Sequence, residues 1–257
     1  MAEETVLVTG ASSGIGRELA HLFAAGGSRP ILTARRADRL EELAAELRER
    51  HRAEPIVLPA DLAERGAPRA IFERLAADGI RVDVLVNDAG FGLLGAFAEL
   101  SLERQLEMIE VNVVALAHLA RLFLPGMLER RRGGILNVAS TAAFQPGPRM
   151  AVYYATKAFV LSFTEAVFEE AAGTGVRVTC LCPGPTATEF GDLSGLGAKA
   201  IFRRNVMGAA DVARAGYRGF RRGKALVVPG AFNRLAAFSV RLSPRSIVRK
   251  MVRRLQS

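Results

Sequence analysis

Tyr153 and Lys157 stand four residues apart, so on a helix they share one face. A free phenol has a pKa of about 10, and an ammonium beside it favours the phenolate. Such a pair can give a proton to, or take one from, an oxygen held nearby. Tyr154 is offset by one residue and is expected to point elsewhere, which makes Tyr153 the reactive candidate. A lone Tyr-x-x-x-Lys often arises by chance. This one follows Ser140 by thirteen residues, and Ser140 ends an apolar run that begins at Gly134. Upstream, Asn112 lies among Val111, Val113, Val114 and Leu116, in a stretch over 102–129 that suits one long helix. A buried amide there must be hydrogen-bonded, either to backbone or to something it positions.

These side chains need a scaffold that gathers them, and its first unit opens the chain. Thr5–Val8 has the β-branched character and length of a buried strand. Ile15, Leu19, Leu22 and Phe23 then recur at helical spacing. Between them lies Gly10-Ala11-Ser12-Ser13-Gly14-Ile15-Gly16. Strand, glycine loop and helix together aim free N–H groups at a phosphate. Gly10 would allow the tight turn, Gly14 an anion's approach, and Gly16 close packing of helix on strand. The other reading is a glycine-rich turn without a ligand. Further strands are expected at Pro30–Thr33, Pro55–Leu58, Val82–Val86, Gly134–Ser140, Arg177–Cys182 and Ala225–Val228. Helices are expected over 38–50 and 62–77, and around Tyr153. Alternating strands and helices imply an α/β fold, a Rossmann-type doubly wound parallel sheet of about seven strands, with a crevice at the strands' carboxyl ends.

Thr9-Gly10-x-x-x-Gly14-Ile15-Gly16, Asn87-Asp88-Ala89-Gly90, Asn112, Ser140 and Tyr153-x-x-x-Lys157 follow one another in the spacing of a known family. The chain resembles the short-chain dehydrogenase/reductases up to about residue 230. The resemblance implies a nicotinamide cofactor cradled by Gly10, Ser12, Ser13, Gly14, Ile15 and Gly16. Asp61, with Leu62, would meet the adenine; Asp61 could equally cap the helix that follows. Asn87 would brace neighbouring strands, and Ala89 and Gly90 would lie against the cofactor. The family pattern there is Asn-Asn-Ala-Gly, so Asp88 is a departure, one that touches no expected chemical role. Pro183 and Gly184 would flank the nicotinamide, and Thr188 would bind its carboxamide, with Thr186 as the rival. Tyr153 would donate a proton to the carbonyl oxygen that Ser140 holds. Lys157 would lower the phenol's pKa and bond the nicotinamide ribose, and Asn112 would hold a relay water.

About 20 positions beyond the glycine loop, such folds place an acid that binds the adenosine 2′-hydroxyl. Here that place holds Ala34, followed by Arg35 and Arg36. A carboxylate would repel a 2′-phosphate, whereas a guanidinium pairs with it through two hydrogen bonds. NADP(H) is therefore expected, with Arg35 as the phosphate ligand and Arg36 either joining it or standing solvated. The expected reaction is reduction of a carbonyl to a secondary alcohol. Phe190, Leu193, Leu196, Ile201 and Phe202 would line an apolar lid over 186–208, which suits a ketone of 3-oxoacyl or steroid-like type. A non-catalytic NADPH-binding sensor, or a membrane-surface scaffold on the same fold, is the alternative. The complete set of Asn112, Ser140, Tyr153 and Lys157 argues against it.

The 257 residues, half of them hydrophobic, suffice for one large domain. Two cysteines, Cys180 and Cys182, would share one face of a strand; they suit neither a disulfide nor a metal site, and no metal is expected. No signal peptide, uninterrupted membrane-spanning run or nucleic-acid partner is expected, and a cytoplasmic location follows. Homodimers or homotetramers are implied by the resemblance. The net charge of +9 is unevenly spread. From Ala200 onward there are fourteen Lys or Arg against one acid, Asp211, a net +13 that leaves the first 199 residues at −4. We divide the chain into a cofactor-binding and catalytic domain, 1–230, and a basic amphipathic helical extension, 231–257. In the extension Ile247, Val248, Met251, Val252 and Leu255 form one stripe and Arg245, Arg249, Lys250, Arg253 and Arg254 the other. It could pack on its own domain with a solvated basic face. It could instead touch anionic lipid at the inner face of a membrane, a CoA phosphate or an acidic carrier protein.

Overall fold

The computed structural model describes residues 4–193 and 206–256. In chain order the elements are β1 (Glu4–Thr9), α1 (Gly14–Ala25), β2 (Ser28–Thr33), α2 (Ala37–His51), β3 (Ile56–Val57), α3 (Ala67–Ala77) and β4 (Val84–Asn87). Then come α4 (Leu102–Ile109), a π-helical turn (Glu110–Ala115), α5 (Leu116–Arg130), β5 (Gly134–Val138), a 3₁₀ turn (Thr141–Phe144), α6 (Ala151–Glu170) and β6 (Arg177–Leu181). The chain continues through β7 (Thr186–Ala187), α7 (Phe190–Leu193), β8 (Met207–Gly208), α8 (Ala209–Arg221), β9 (Leu226–Val227), α9 (Ala231–Leu242) and α10 (Arg245–Gln256).

Seven parallel strands form one sheet in the order β3-β2-β1-β4-β5-β6-β9. Both faces are covered, which is why the central strands read as unbroken apolar runs. Val6, Val8, Val84, Val86 and Leu136 face α1, α2 and α8, meeting Leu19, Phe23, Leu43 and Phe220. Leu7, Leu85, Ile135 and Val178 face α3 and α5, meeting Ile71, Leu75, Leu119, Phe123 and Met127. The strand order reverses between β1 and β4, and that switch point opens the crevice at the strands' carboxyl ends.

Several boundaries differ from expectation for local reasons. The helix expected over 62–77 begins only at Ala67. Asp61 accepts the Ala63 N–H at 3.0 Å and so closes a turn, and Pro68 in the first helical turn has no N–H to carry the ladder back. The long helix over 102–130 is present but is broken by the π-turn around Asn112. It is apolar and long enough to cross a membrane by composition alone, yet its buried side packs beneath the sheet. β7 and β8 form a two-stranded parallel ribbon that pins the described ends of the expected lid. Leu196, Ile201 and Phe202 lie outside the described residues, and Leu193 is placed as the last residue of α7.

Candidate active site

The crevice has a volume of ≈ 460 Å³, ordinary for a small-molecule site, and runs from Arg35 and Arg36 to Tyr153 and Phe190. Of the residues expected to bind or react, Gly10, Ser12, Ser13, Gly14, Ile15, Arg35, Asp61, Leu62, Ala89, Gly90, Ser140, Tyr153, Lys157, Pro183, Gly184 and Thr188 line it. Gly16, Asn87 and Asn112 lie behind its wall.

The glycine loop fits an anionic ligand. Gly10 holds φ 69°, and a Cβ there would lie 2.8 Å from the Ala89 nitrogen, so only glycine suits the position. Ser13 caps α1 without closing its side chain onto the first turn. The helix N-terminus therefore keeps donors for a phosphate. Thr188 leans over this loop, its methyl 3.0 Å from where a Gly14 Cβ would be. The rival Thr186 also lines the crevice, but its hydroxyl donates to the Gly184 carbonyl at 2.9 Å.

At the other end, Ser140 stands two residues past β5 and caps the 3₁₀ turn, accepting the Ala142 N–H at 3.1 Å. It lines the crevice together with Tyr153. Tyr153 is 8 % exposed, and burial drives its pKa above the free value, with the nearby Ser140 hydroxyl opposing that rise. Lys157 is as deeply set and donates to the Val138 carbonyl at 2.9 Å. Its ammonium lies 5.9 Å from the centre of the Tyr153 ring. Enclosure is the largest influence on the phenol and raises its pKa, while the Lys157 ammonium is anchored to backbone. Burial also lowers the pKa of Lys157 itself, while Asp88 opposes that shift.

Asn112 is fully committed. Its Nδ2 donates to the Phe91 carbonyl at 2.9 Å and to Thr156 Oγ1 at 3.1 Å, and its Oδ1 accepts the Phe91 N–H at 3.1 Å. Its side chain therefore clamps the Phe91 loop against α6. The π-turn that carries it is a helix irregularity frequent at functional sites. Asn87 donates to Asn137 Oδ1 at 2.9 Å and so ties β4 to β5, as expected.

Three residues were missed or misjudged. Asp88 was expected to play no part, yet it lines the crevice with its carboxyl close against Gly16 and in the field of Lys157. Burial pushes it up to about 7. Its departure from the family motif was the only signal. Tyr154 was expected to point away but lines the same crevice, because Gly147 leaves its ring room. Its ring meets that of Tyr153 edge-on at 6.0 Å. Met150 joins them and Phe190 in the apolar wall. The arginines differ in their partners: Arg35 faces Glu107 at 3.6 Å, whereas Arg36 donates to Glu189 at 2.8 Å and to Ser12 at 3.2 Å. Cys180 and Cys182 are buried free thiols with sulfurs 3.7 Å apart.

The comparisons with known proteins agree with this arrangement. Residues 4–195 match the family model described as short chain dehydrogenase. The chain is 41% identical over 189 residues to sulfoacetaldehyde reductase 2 of Chromohalobacter salexigens, covering 73% of this chain and 74% of that one. It is 38% identical over 190 residues to the NADP-dependent 3-hydroxy acid dehydrogenase YdfG of Escherichia coli K12, covering 73% and 75%. Among solved structures, a short-chain dehydrogenase from Sphingobium yanoikuyae in complex with NADPH superposes with a TM-score of 0.83 at 34% identity over 92% of each chain. A 7beta-hydroxysteroid dehydrogenase superposes with a TM-score of 0.88 at 27% identity, over 99% of this chain and 97% of that one. With the sheet, the crevice and these matches together, the chain belongs to the short-chain dehydrogenase/reductase family and is an NAD(P)-dependent oxidoreductase.

Proposed function

We propose that the chain reduces an apolar ketone, of 3-oxoacyl or steroid-like type, to a secondary alcohol with NADP(H). The observation that carries this reading is the gathering of Ser140, Tyr153 and Lys157 at the apolar end of a crevice whose other end is basic. The dinucleotide supplies the hydride when bound. Ser140 and Tyr153 hold the carbonyl oxygen between two hydroxyls. As negative charge builds on that oxygen, the Tyr153 phenol gives up its proton to it. A phenol kept protonated by burial is suited to donation. Lys157, fixed on Val138, supplies the nearby positive charge that steadies the phenolate left behind. Arg35 and Arg36 supply the cations for a 2′-phosphate, and the YdfG and Sphingobium names, with their NADP and NADPH, support that choice. Asn112 acts in this reading by holding the Phe91 loop and α6 in register.

The cytoplasm and self-association as a dimer or tetramer belong to the same proposal. Leu102, Leu106, Ile109, Val114 and Phe159 stand exposed on α4, the π-turn and α6, which supports association of copies. Sedimentation velocity of the full chain reads that state. For the chemistry, NADPH oxidation is measured against a panel of ketones that includes steroids and acyl thioesters. Tyr153→Phe is expected to lower kcat by about a thousandfold or more while NADPH still binds by fluorescence titration. Undiminished turnover in that variant removes Tyr153 as the donor.

A further inference from the structure

The extension over 231–256 has two unlike faces. On α9, Asn233 and Val240 turn inward, while Phe232, Leu235, Phe238 and Leu242 are exposed at 62%, 68%, 57% and 74%. Those four recur three or four residues apart, so they form one stripe. On α10, Val248 and Val252 are buried against Met150, Tyr153 and Tyr154, but Ile247 and Met251 stay 53% and 57% exposed. A sequence stripe that should be covered is therefore only half covered. Large exposed apolar side chains arranged in stripes mark a surface that something covers.

The charge says what covers it. Residues 231–256 carry seven Arg or Lys and no acid, and all seven cations are exposed. In a twofold interface the same patch meets itself, so a second copy would set these cations against their own kind. An anionic bilayer satisfies both features at once. Its acyl boundary takes phenylalanine, leucine, isoleucine and methionine, and its headgroups take the flanking arginines. We propose that α9 and α10 dock the protein onto an anionic membrane surface, lying in the plane of the interface with Phe232, Leu235, Phe238, Leu242, Ile247 and Met251 inserted. This docking does not depend on the reaction assigned above. It leaves the buried side of α10 packed behind Met150, Tyr153 and Tyr154, so the docked protein carries its apolar pocket near lipid.

The test is co-sedimentation of the full chain with vesicles of phosphatidylcholine alone and of phosphatidylcholine with about 30 mol % phosphatidylglycerol. Binding to the anionic vesicles is expected to be roughly tenfold tighter and to fall as salt rises. Leu235→Ser/Phe238→Ser is expected to weaken it about tenfold. Arg249→Gln/Lys250→Gln is expected to remove most of the preference for phosphatidylglycerol and, being wholly on the surface, serves if the apolar variant fails to fold by circular dichroism. A wild-type chain that stays in the supernatant with both vesicles overturns the proposal. So does a Leu235→Ser/Phe238→Ser protein that binds vesicles unchanged. If that variant instead breaks up an assembly seen by sedimentation velocity, without any vesicle binding, the stripe is a contact between copies and the lipid proposal fails.

Discussion

At the scale of single residues, Asp88 changes most between sequence and structure. Its carboxyl sits under the glycine loop, where burial raises its pKa from the ordinary 3.8 to about 7 against the pull of Lys157 and the Gly16 amide. A raised carboxyl stabilises the fold fully below its unfolded pKa and loses that contribution as pH climbs through its folded value. The window here runs from about 4 to about 7. Asp88→Asn keeps the shape without the ionisation. The variant should gain on the wild type, by on the order of 1 kcal/mol, as pH rises from about 5 to about 8.5, read by thermal unfolding without nucleotide. A constant difference in melting temperature over that range means Asp88 does not titrate there. Arg35 and Arg36 make a second residue-scale case, because each already faces a carboxylate, Glu107 or Glu189. A 2′-phosphate must compete with those partners. Arg35→Asp should shift the ratio of kcat/KM for NADPH over NADH toward NADH by about 10- to 100-fold. An unchanged ratio assigns the phosphate to Arg36, which already rests on Ser12.

At the scale of elements, the site is held by polar threads through the sheet. Asn87 donates to Asn137, Asn137 donates to Thr164 at 3.0 Å, and Thr164 donates to the Val160 carbonyl, so β4, β5 and α6 are tied in one line. α6 also carries Tyr153 and Lys157. Asn137→Ala would leave the Asn87 amide only its long 3.5 Å contact to the Leu116 carbonyl and would take from the Thr164 hydroxyl the bond it accepts. That should cost about 2–3 kcal/mol and roughly 5 °C in melting temperature. Denaturant titration at constant m-value would measure it. The strands themselves were readable beforehand because burial on both faces demands unbroken apolar runs, and β1, β4 and β5 have them. The glycine loop was readable because its backbone geometry excludes side chains. The π-turn at Asn112 was not, since it comes from a loop some twenty residues away, Phe91, docking on the amide. Nor was Asp88, whose partners Gly16 and Lys157 are far off in the chain and meet it only once the sheet is built. Local pattern could start the helix too early, just after Asp61, for the same reason that it placed most helices well. Apolar periodicity marks a buried face but not the turn that precedes it.

At the scale of the molecule, the C-terminal extension packs on the catalytic part of the chain. Val248 and Val252 share a buried cluster with Met108, Ala142, Met150, Tyr153 and Tyr154, and Asn233 closes over Gly184, where a Cβ would lie 2.5 Å from its side chain. The last helix thus backs Met150, Tyr153 and Tyr154, which line the substrate end, whereas the glycine loop, Arg35 and Arg36 are walled by β1, α1 and the end of β2. Removing residues 243–257 uncovers the cluster and leaves the nucleotide end untouched. Burial of two valines is worth about 3–5 kcal/mol in all, part of which holds Tyr154 and Met150 in place. The truncated protein should therefore bind NADPH within about twofold of the full chain. It should show KM for an apolar ketone raised by about tenfold, with a smaller change in kcat. Steady-state kinetics beside fluorescence titration separate the two ends. Loss of NADPH binding in parallel would mean that the extension supports the whole sheet, and an unaltered KM would mean that the crevice wall is complete without it.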